Sequence, residues 1–492
     1  MAMNRRSLLR TAAVGAAYSA LGAGALSGCM PESVAGQVDW AALRRRLTGA
    51  LSLPADADYA TVKRAYNPGF DTRQPAAVAR CANAADVQAC VGMASQSGTR
   101  IAARGGGHSY AGYSTPDGAL IVDVGQLNSV EVGAAGTAVI GAGARLMDVY
   151  SGLARAGRCL PGGSCPTVGI AGLTLGGGLG VLSGKYGLTC DSLISAQVVT
   201  PDGVLRTASA ESEPDLFWAL CGGGGGNLGV VTSFTFETVA APQLAVFQVK
   251  FPAGTLTEVL GGWQSFTRSA PDEFWSTLGT SAGNPPTCRI NGCYVGGEST
   301  LNALVDKLVA ATGVQPSNRY SLSKDYLSAM MYFGGCSNYT AEQCRPNWNG
   351  GGALGRESFT ASSRVLNQPL SDPSELTALL TGRTGMDILL DSMVGAPSRI
   401  GAADTAFPHR GALATAQIYV GATTPAARNA VNEVRDALGD LVGNTAYVNY
   451  IDPDLSDWST AYYGTNAPRL RRIAQKYDPH GLFTFDQSVT KC

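Results

Sequence analysis

The sequence predicts an α+β fold in two domains, with a first, glycine-rich domain to which the chain returns at its C-terminus. Three observations carry this. Between Ala76 and Thr238, short β-rich runs alternate with glycine turns and occasional helices. After Ala240-Ala241-Pro242 the texture changes, and helical patterns are interspersed with strands. From about Val448 the chain carries polar and aromatic residues of the kind that build a site. A length of 492 residues also exceeds what one hydrophobic core usually serves. The expected boundaries are a lead-in over 30–69, a first domain over 70–242, a second over 243–440, and a returning segment over 441–492.

Each element has a local reason. Residues 85–94 have helical spacing, and Asn83 stands where a cap belongs. Residues 100–103, 119–124 and 138–140 read as short strands. Residues 196–200 and 204–207 flank Pro201-Asp202-Gly203 and read as a hairpin. The run 229–238 alternates like a strand closing the first domain. In the second, 244–251 and 414–420 read as strands, and 255–270, 301–311 and 375–381 as helices.

Composition excludes several functions. A net charge of -1 gives no electrostatic case for nucleic acid or anionic membranes. No cysteine or histidine spacing suits a metal, so no metal site is expected. Residues 1–29 are set apart as a targeting segment. Arg5-Arg6-Ser7-Leu8-Leu9 looks like a twin-arginine export signal. The stretch from Ala12 to Gly28 is too short and too glycine-rich for a membrane-spanning helix. It ends in Leu26-Ser27-Gly28-Cys29, which is similar to a lipoprotein processing box with Cys29 acylated; plain cleavage nearby is the alternative. The expected location is outside the cytoplasm, secreted or lipid-anchored at a bacterial cell surface. Of 12 cysteines, setting aside Cys29 and Cys165 leaves an even number, which suits an oxidising compartment. Cys288 with Cys293 and Cys336 with Cys344 are close enough for local bridges.

Two loops carry the chemistry: Arg104-Gly105-Gly106-Gly107-His108-Ser109-Tyr110, and Gly162-Gly163-Ser164-Cys165-Pro166-Thr167-Val168-Gly169. Glycine triplets let backbone approach a large planar ligand where a Cβ would not fit. A histidine and a cysteine delivered by such loops are two candidate anchors for a doubly tethered flavin. Gly176-x-Gly178-x-x-Val181 superficially matches a dinucleotide fingerprint, but the strand–turn–helix context and the downstream acid are lacking.

Residues 162–203 together with R-G-G-G-H-S-Y closely resemble the berberine bridge enzyme-like branch of the vanillyl-alcohol oxidase flavoproteins. Tyr447-Val448-Asn449-Tyr450-Ile451-Asp452, Tyr462-Tyr463-Gly464-Thr465-Asn466 and Phe483-x-x-x-Gln487-Ser488 look like that family's terminal signature. The resemblance covers about 70–240 and 385–492. It implies a PCMH-type FAD-binding domain made of the N-terminal part plus the returning segment, and a substrate domain built on an antiparallel sheet. It implies bicovalent FAD, joined through its 8α-methyl to His108 and through C6 to Cys165. Arg104, Gly105, Gly106, Gly107, Ser109, Val168, Gly169, Gly172, Gly176, Gly178, Asp191, Val231, Asn449 and Asn466 are the further cofactor-binding residues it implies. Backbone amides of 104–109 and 172–178 are suited to pyrophosphate oxygens, as glycine-rich nests are.

For the reaction, the resemblance implies Tyr450 as the base that takes a hydroxyl proton during hydride transfer, with Asp391, Gln417 and Tyr110 beside it. A tyrosine of ordinary pKa, about 10, needs a depressed pKa or a concerted transfer for that role. Charge alone from Asp391 would raise it; a hydrogen bond would help. Val168 matches a position where valine accompanies oxygen reactivity, which favours an oxidase with dioxygen as acceptor. Val394 stands where a double glycine is usual, putting the pocket's shape in question. His409 is expected to brace the site, and His480 to sit at a solvent-facing turn. The expected function is an exported, monomeric flavoprotein oxidase acting on an alcohol or hemiacetal carbon and releasing hydrogen peroxide. The alternatives are a natural-product tailoring oxidase and a non-catalytic surface flavoprotein.

Overall fold

Alternating burial along three sheets decides where each side chain points. In a computed structural model, which describes residues 38–348 and 351–492, the first sheet has four strands. Residues 1–37, with the expected targeting segment and Cys29, lie outside the described residues. In the first sheet Ala50–Ser52, Ala77–Arg80, Leu120–Asp123 and Ile101–Arg104 lie side by side in that order. The last three run parallel to one another, which requires a crossover, and the helix Ala84–Ser97 provides one. It starts where expected, with the Asn83 side chain accepting from the Asp86 amide at 2.9 Å, and ends at Gly98.

The second sheet is antiparallel, ordered Val130–Val132, Thr137–Gly141, Val230–Glu237, Leu193–Val199, Leu205–Ser209. The expected hairpin is there, turning through Pro201-Asp202-Gly203 between Leu193–Val199 and Leu205–Ser209. Both sheets share one core with the end of the chain: Val122, Ile140 and Phe234 are buried in the same cluster as Tyr447, Tyr462 and Phe483.

The third sheet is also antiparallel and has seven strands. Their order is Asn318–Lys324, Leu244–Lys250, Thr287–Val295, Phe274–Ser281, Met386–Ser392, Ala414–Val420, Thr360–Leu366. One face is apolar. Leu278, Leu390 and Ala416 pair across three neighbouring strands and pack under Leu256–Thr267, Glu298–Thr312 and Pro425–Val442 through Trp263, Val305 and Val434. The period of two then sends the next row, Thr277, Asp391 and Thr415, to the opposite face, with Gln417 and Tyr419 following Thr415.

The cysteine expectation divides. Cys336 and Cys344 form a disulfide. Cys288 and Cys293 do not, because five residues apart on Thr287–Val295 they project from opposite faces into different cores. Among the described residues, no helix is long and apolar enough to cross a membrane, and no cluster of side chains suits a metal ion.

Candidate active site

The polar face of the third sheet overlooks a cavity of about 440 Å³. Its other walls are backbone of the loops around 104–109, 163–172 and 224–231. Two of these loops touch back to back. A Cβ on Gly106 would lie 2.3 Å from the Gly169 amide nitrogen, so neither position tolerates a side chain. Arg145 ties the same loops, donating to the carbonyls of Thr167 at 2.8 Å and Gly106 at 3.4 Å.

This contact brings His108 and Cys165 to one wall. The Thr167 hydroxyl lies 3.0 Å from His108 Nε2 and 3.5 Å from the Cys165 sulfur. Burial, with the nearby Arg145 charge adding, pushes the His108 imidazole down to about 3, so it is neutral at ordinary pH. Burial also pushes the Cys165 thiol up, while the Thr167 hydroxyl and the amides of Thr167 and Val168 pull it back. The Tyr66 ring stacks on His108 with centroids 3.9 Å apart, and its hydroxyl donates to Glu357 at 3.1 Å. Tyr419 donates to the same carboxylate.

Tyr450 lies at the aromatic end of the cavity. Its ring stacks on Tyr110 at 5.5 Å and meets Tyr447 edge-on at 5.1 Å. Gln417 Nε2 donates to the Tyr110 hydroxyl at 2.6 Å. Asp391 also lines this end; burial raises its carboxyl to about 6, against a lowering by Thr277. Burial first, and the Asp391 charge second, hold the Tyr450 phenol well above its ordinary value. No hydrogen bond joins Tyr450 to Asp391 among the described residues, and with its pKa raised Tyr450 is a neutral phenol and no preformed tyrosinate. Ser109, Val168, Gly172, Val231 and Asn449 line the cavity as well. Asn449 donates to the Leu173 carbonyl at 2.9 Å and to the Tyr447 hydroxyl, which in turn accepts from the amides of Gly178 and Leu179.

Four residues expected at the cofactor do not line the cavity. Both Asp191 oxygens are taken by Arg410, each at 2.8 Å, and the pair is buried. Asn466 donates to the carbonyls of Ala402 and Thr405, which pins a loop. Gly176 packs against the Asn449 side chain, and Gly178 against Thr189. Arg104 lines the cavity only in part, since its guanidinium turns to Asp123 and to the carbonyls of Val62 and Lys63. Val394 packs on the helix-covered core and does not line the cavity. His409 is buried and bonded to the Tyr462 carbonyl, bracing the returning segment, and His480 is exposed. Tyr66, Thr167 and Glu357 join the site without having been singled out by sequence. Thr167 lies inside the second glycine-rich loop, whereas Tyr66 and Glu357 carry no motif.

Residues 75–209 match the FAD binding domain family, and 446–490 the berberine and berberine-like family. An FAD-linked oxidoreductase of Bacillus subtilis is 30% identical, over 91% of this chain and 98% of that one. A chitooligosaccharide oxidase of Gibberella zeae is 30% identical over 89% and 92%. The structure of berberine bridge enzyme-like 1 from Physcomitrella patens superimposes with a TM-score of 0.84 at 29% identity, covering 91% and 98%. The fold is thus the PCMH-type FAD-binding fold joined to an antiparallel substrate sheet, and the protein is an FAD-linked oxidoreductase. The chain belongs to the berberine bridge enzyme-like family.

The cavity fits FAD on its own chemistry. The Tyr113 hydroxyl, Ser114 Oγ and Gln487 Oε1 belong to residues that line it, buried and without a hydrogen-bond partner among the described residues. Such groups are stable when a polar ligand satisfies them. A long backbone-lined space that ends in aromatic rings suits a dinucleotide carrying a flat ring system.

Asp191 and Arg410 make a separate prediction. Arg410→Met strands a buried carboxylate and should lower unfolding stability by about 3–5 kcal/mol. Urea unfolding checks this, and a loss below about 1 kcal/mol would show that the pair does not pin the fold.

Proposed function

We propose that this protein is an exported oxidase with FAD attached through both His108 and Cys165, acting on a sugar-like alcohol or hemiacetal carbon. The arrangement that carries the reading is one cavity wall bearing His108 and Cys165 beside an end built from Tyr450, Tyr110, Gln417 and Asp391. FAD, when bound, supplies a two-electron acceptor for hydride, and dioxygen restores it with release of hydrogen peroxide. A neutral imidazole at His108 keeps a nitrogen lone pair available for attachment. Val168 lies on the cavity wall, at the position where the family resemblance links valine to oxygen reactivity, which supports dioxygen as the acceptor.

The protein's groups handle the proton. As hydride leaves the substrate carbon, the hydroxyl on that carbon becomes strongly acidic. Tyr450, a neutral phenol, takes that proton only as it passes its own onward. Asp391, which lines the same end of the cavity and is a carboxylate above about pH 6, is the base able to hold it once a substrate group or a water bridges it to the phenol. Gln417 fixes the Tyr110 hydroxyl, and Tyr110 stacks on Tyr450 and holds its ring. The sugar-like substrate is supported by the chitooligosaccharide oxidase relative and by this mixture of aromatic rings with amide and carboxylate groups. The twin-arginine motif at Arg5-Arg6 supports export of the folded, loaded protein.

Anaerobic mixing with a panel of oligosaccharides tests the reading. The flavin should bleach and then recover in air with one peroxide per turnover. Bleaching only with apolar metabolites would assign a tailoring oxidase instead, and no bleaching with any donor would remove catalysis. Tyr450→Phe should retain yellow, covalently loaded protein but reduce its flavin about 100- to 10,000-fold more slowly; unchanged reduction would exclude Tyr450 from the proton path. His108→Ala and Cys165→Ala should each keep flavin bound after acid precipitation through the remaining link. Complete release from both would refute two-point attachment. The reduction rate should rise with pH through about 6 as Asp391 ionises, and Asp391→Asn should flatten that limb.

A further inference from the structure

Both residues proposed to bond the cofactor lose a proton when they do so. Joining a thiol to a ring carbon converts S–H, C–H and dioxygen into a C–S bond and hydrogen peroxide. Joining an imidazole nitrogen to a ring methyl converts N–H, C–H and dioxygen into a C–N bond and hydrogen peroxide. In each case the two broken bonds give up two electrons and two protons to dioxygen as the new bond forms. The site therefore needs a group that handles protons at both a sulfur and a nitrogen.

Thr167 Oγ1 is the one side-chain group hydrogen-bonded to both among the described residues, at 3.0 Å from His108 Nε2 and 3.5 Å from the Cys165 sulfur. Thr167 is 2% exposed, so its hydroxyl is held by packing between the two side chains. A hydroxyl donates and accepts at once, so it can take a proton from one neighbour as it gives one to the other. Arg145 holds the Thr167 carbonyl, and Tyr66 stacks on the imidazole at an interplanar angle of 17°. These two contacts keep Nε2 turned to the hydroxyl and leave Nδ1 as the other ring nitrogen.

We propose that Thr167 is the positioning residue for covalent attachment, its hydroxyl orienting the His108 ring and linking imidazole and thiol in one proton path. The proposal rests on the two-link reading above. It places the coupling between the two attachments in a residue that touches neither substrate nor the Tyr450 end of the cavity.

The test uses the full chain produced under riboflavin limitation and then incubated with FAD in air. Intact mass, and the masses of peptides holding residue 108 and residue 165, follow each link. Thr167→Val keeps the shape and removes the hydroxyl; Thr167→Ser keeps the hydroxyl. The valine variant should bind FAD, as its visible spectrum reports, yet form the links about 100-fold more slowly than wild type. The serine variant should attach at a rate within a few-fold of wild type. Wild-type rates in the valine variant, or a serine variant as slow as the valine one, would overturn the proposal. A wild-type chain that binds FAD with no gain in covalent mass would instead refute the two-link reading, and the proposal with it.

Discussion

The site depends on two glycines that meet backbone to backbone. Gly106 and Gly169 stand so close that one methyl group on either would separate the loops carrying His108 and Cys165. With the loops in contact, a single hydroxyl spans both reactive side chains. Arg145 reinforces the contact from the side, accepted by one carbonyl of each loop. Neither His108 nor Cys165 sits in the left-handed backbone region. Their closeness follows from the absence of side chains elsewhere.

The opposite wall depends on strand alternation instead. The row Leu278, Leu390, Ala416 commits one face of the seven-stranded sheet to the helices. The adjacent row then has to face the cavity, whatever its chemistry. Asp391 and Gln417 are there because their neighbours are apolar, and Asp391's raised carboxyl is a direct result of that enclosed setting. One wall thus carries His108 and Cys165 and the other Asp391 and Gln417, and each is set by packing outside the cavity.

Much of this was legible in the sequence, and the exceptions have physical reasons. His108, Cys165, Tyr450, Asp391 and Gln417 stand in motifs, and the fold gathers them around one cavity. Asp191 and Asn466 stand in equally clear motifs but hold Arg410 and neighbouring carbonyls. A polar residue in a motif reads the same whether it meets a ligand or pins a loop. Tyr66 and Glu357 are 291 residues apart and carry no local signal; only the fold joins them. The strand Met386–Ser392 reads M-D-I-L-L-D-S, and its polar residues are intelligible only once one face is known to border a cavity. Cys288 and Cys293 show the same limit, since nearness along a strand says nothing until the face is assigned.

The core shared by the first two sheets includes Val122 and Ile140 together with Tyr447, Tyr462 and Phe483. A ribosome therefore delivers the opening strands long before the residues that cover them. That core closes only after residue 483 has emerged, so its assembly joins segments more than 300 positions apart and is correspondingly slow. The cavity takes part of its wall from Tyr447, Tyr450 and Gln487, so it too is complete only once that last stretch has been made.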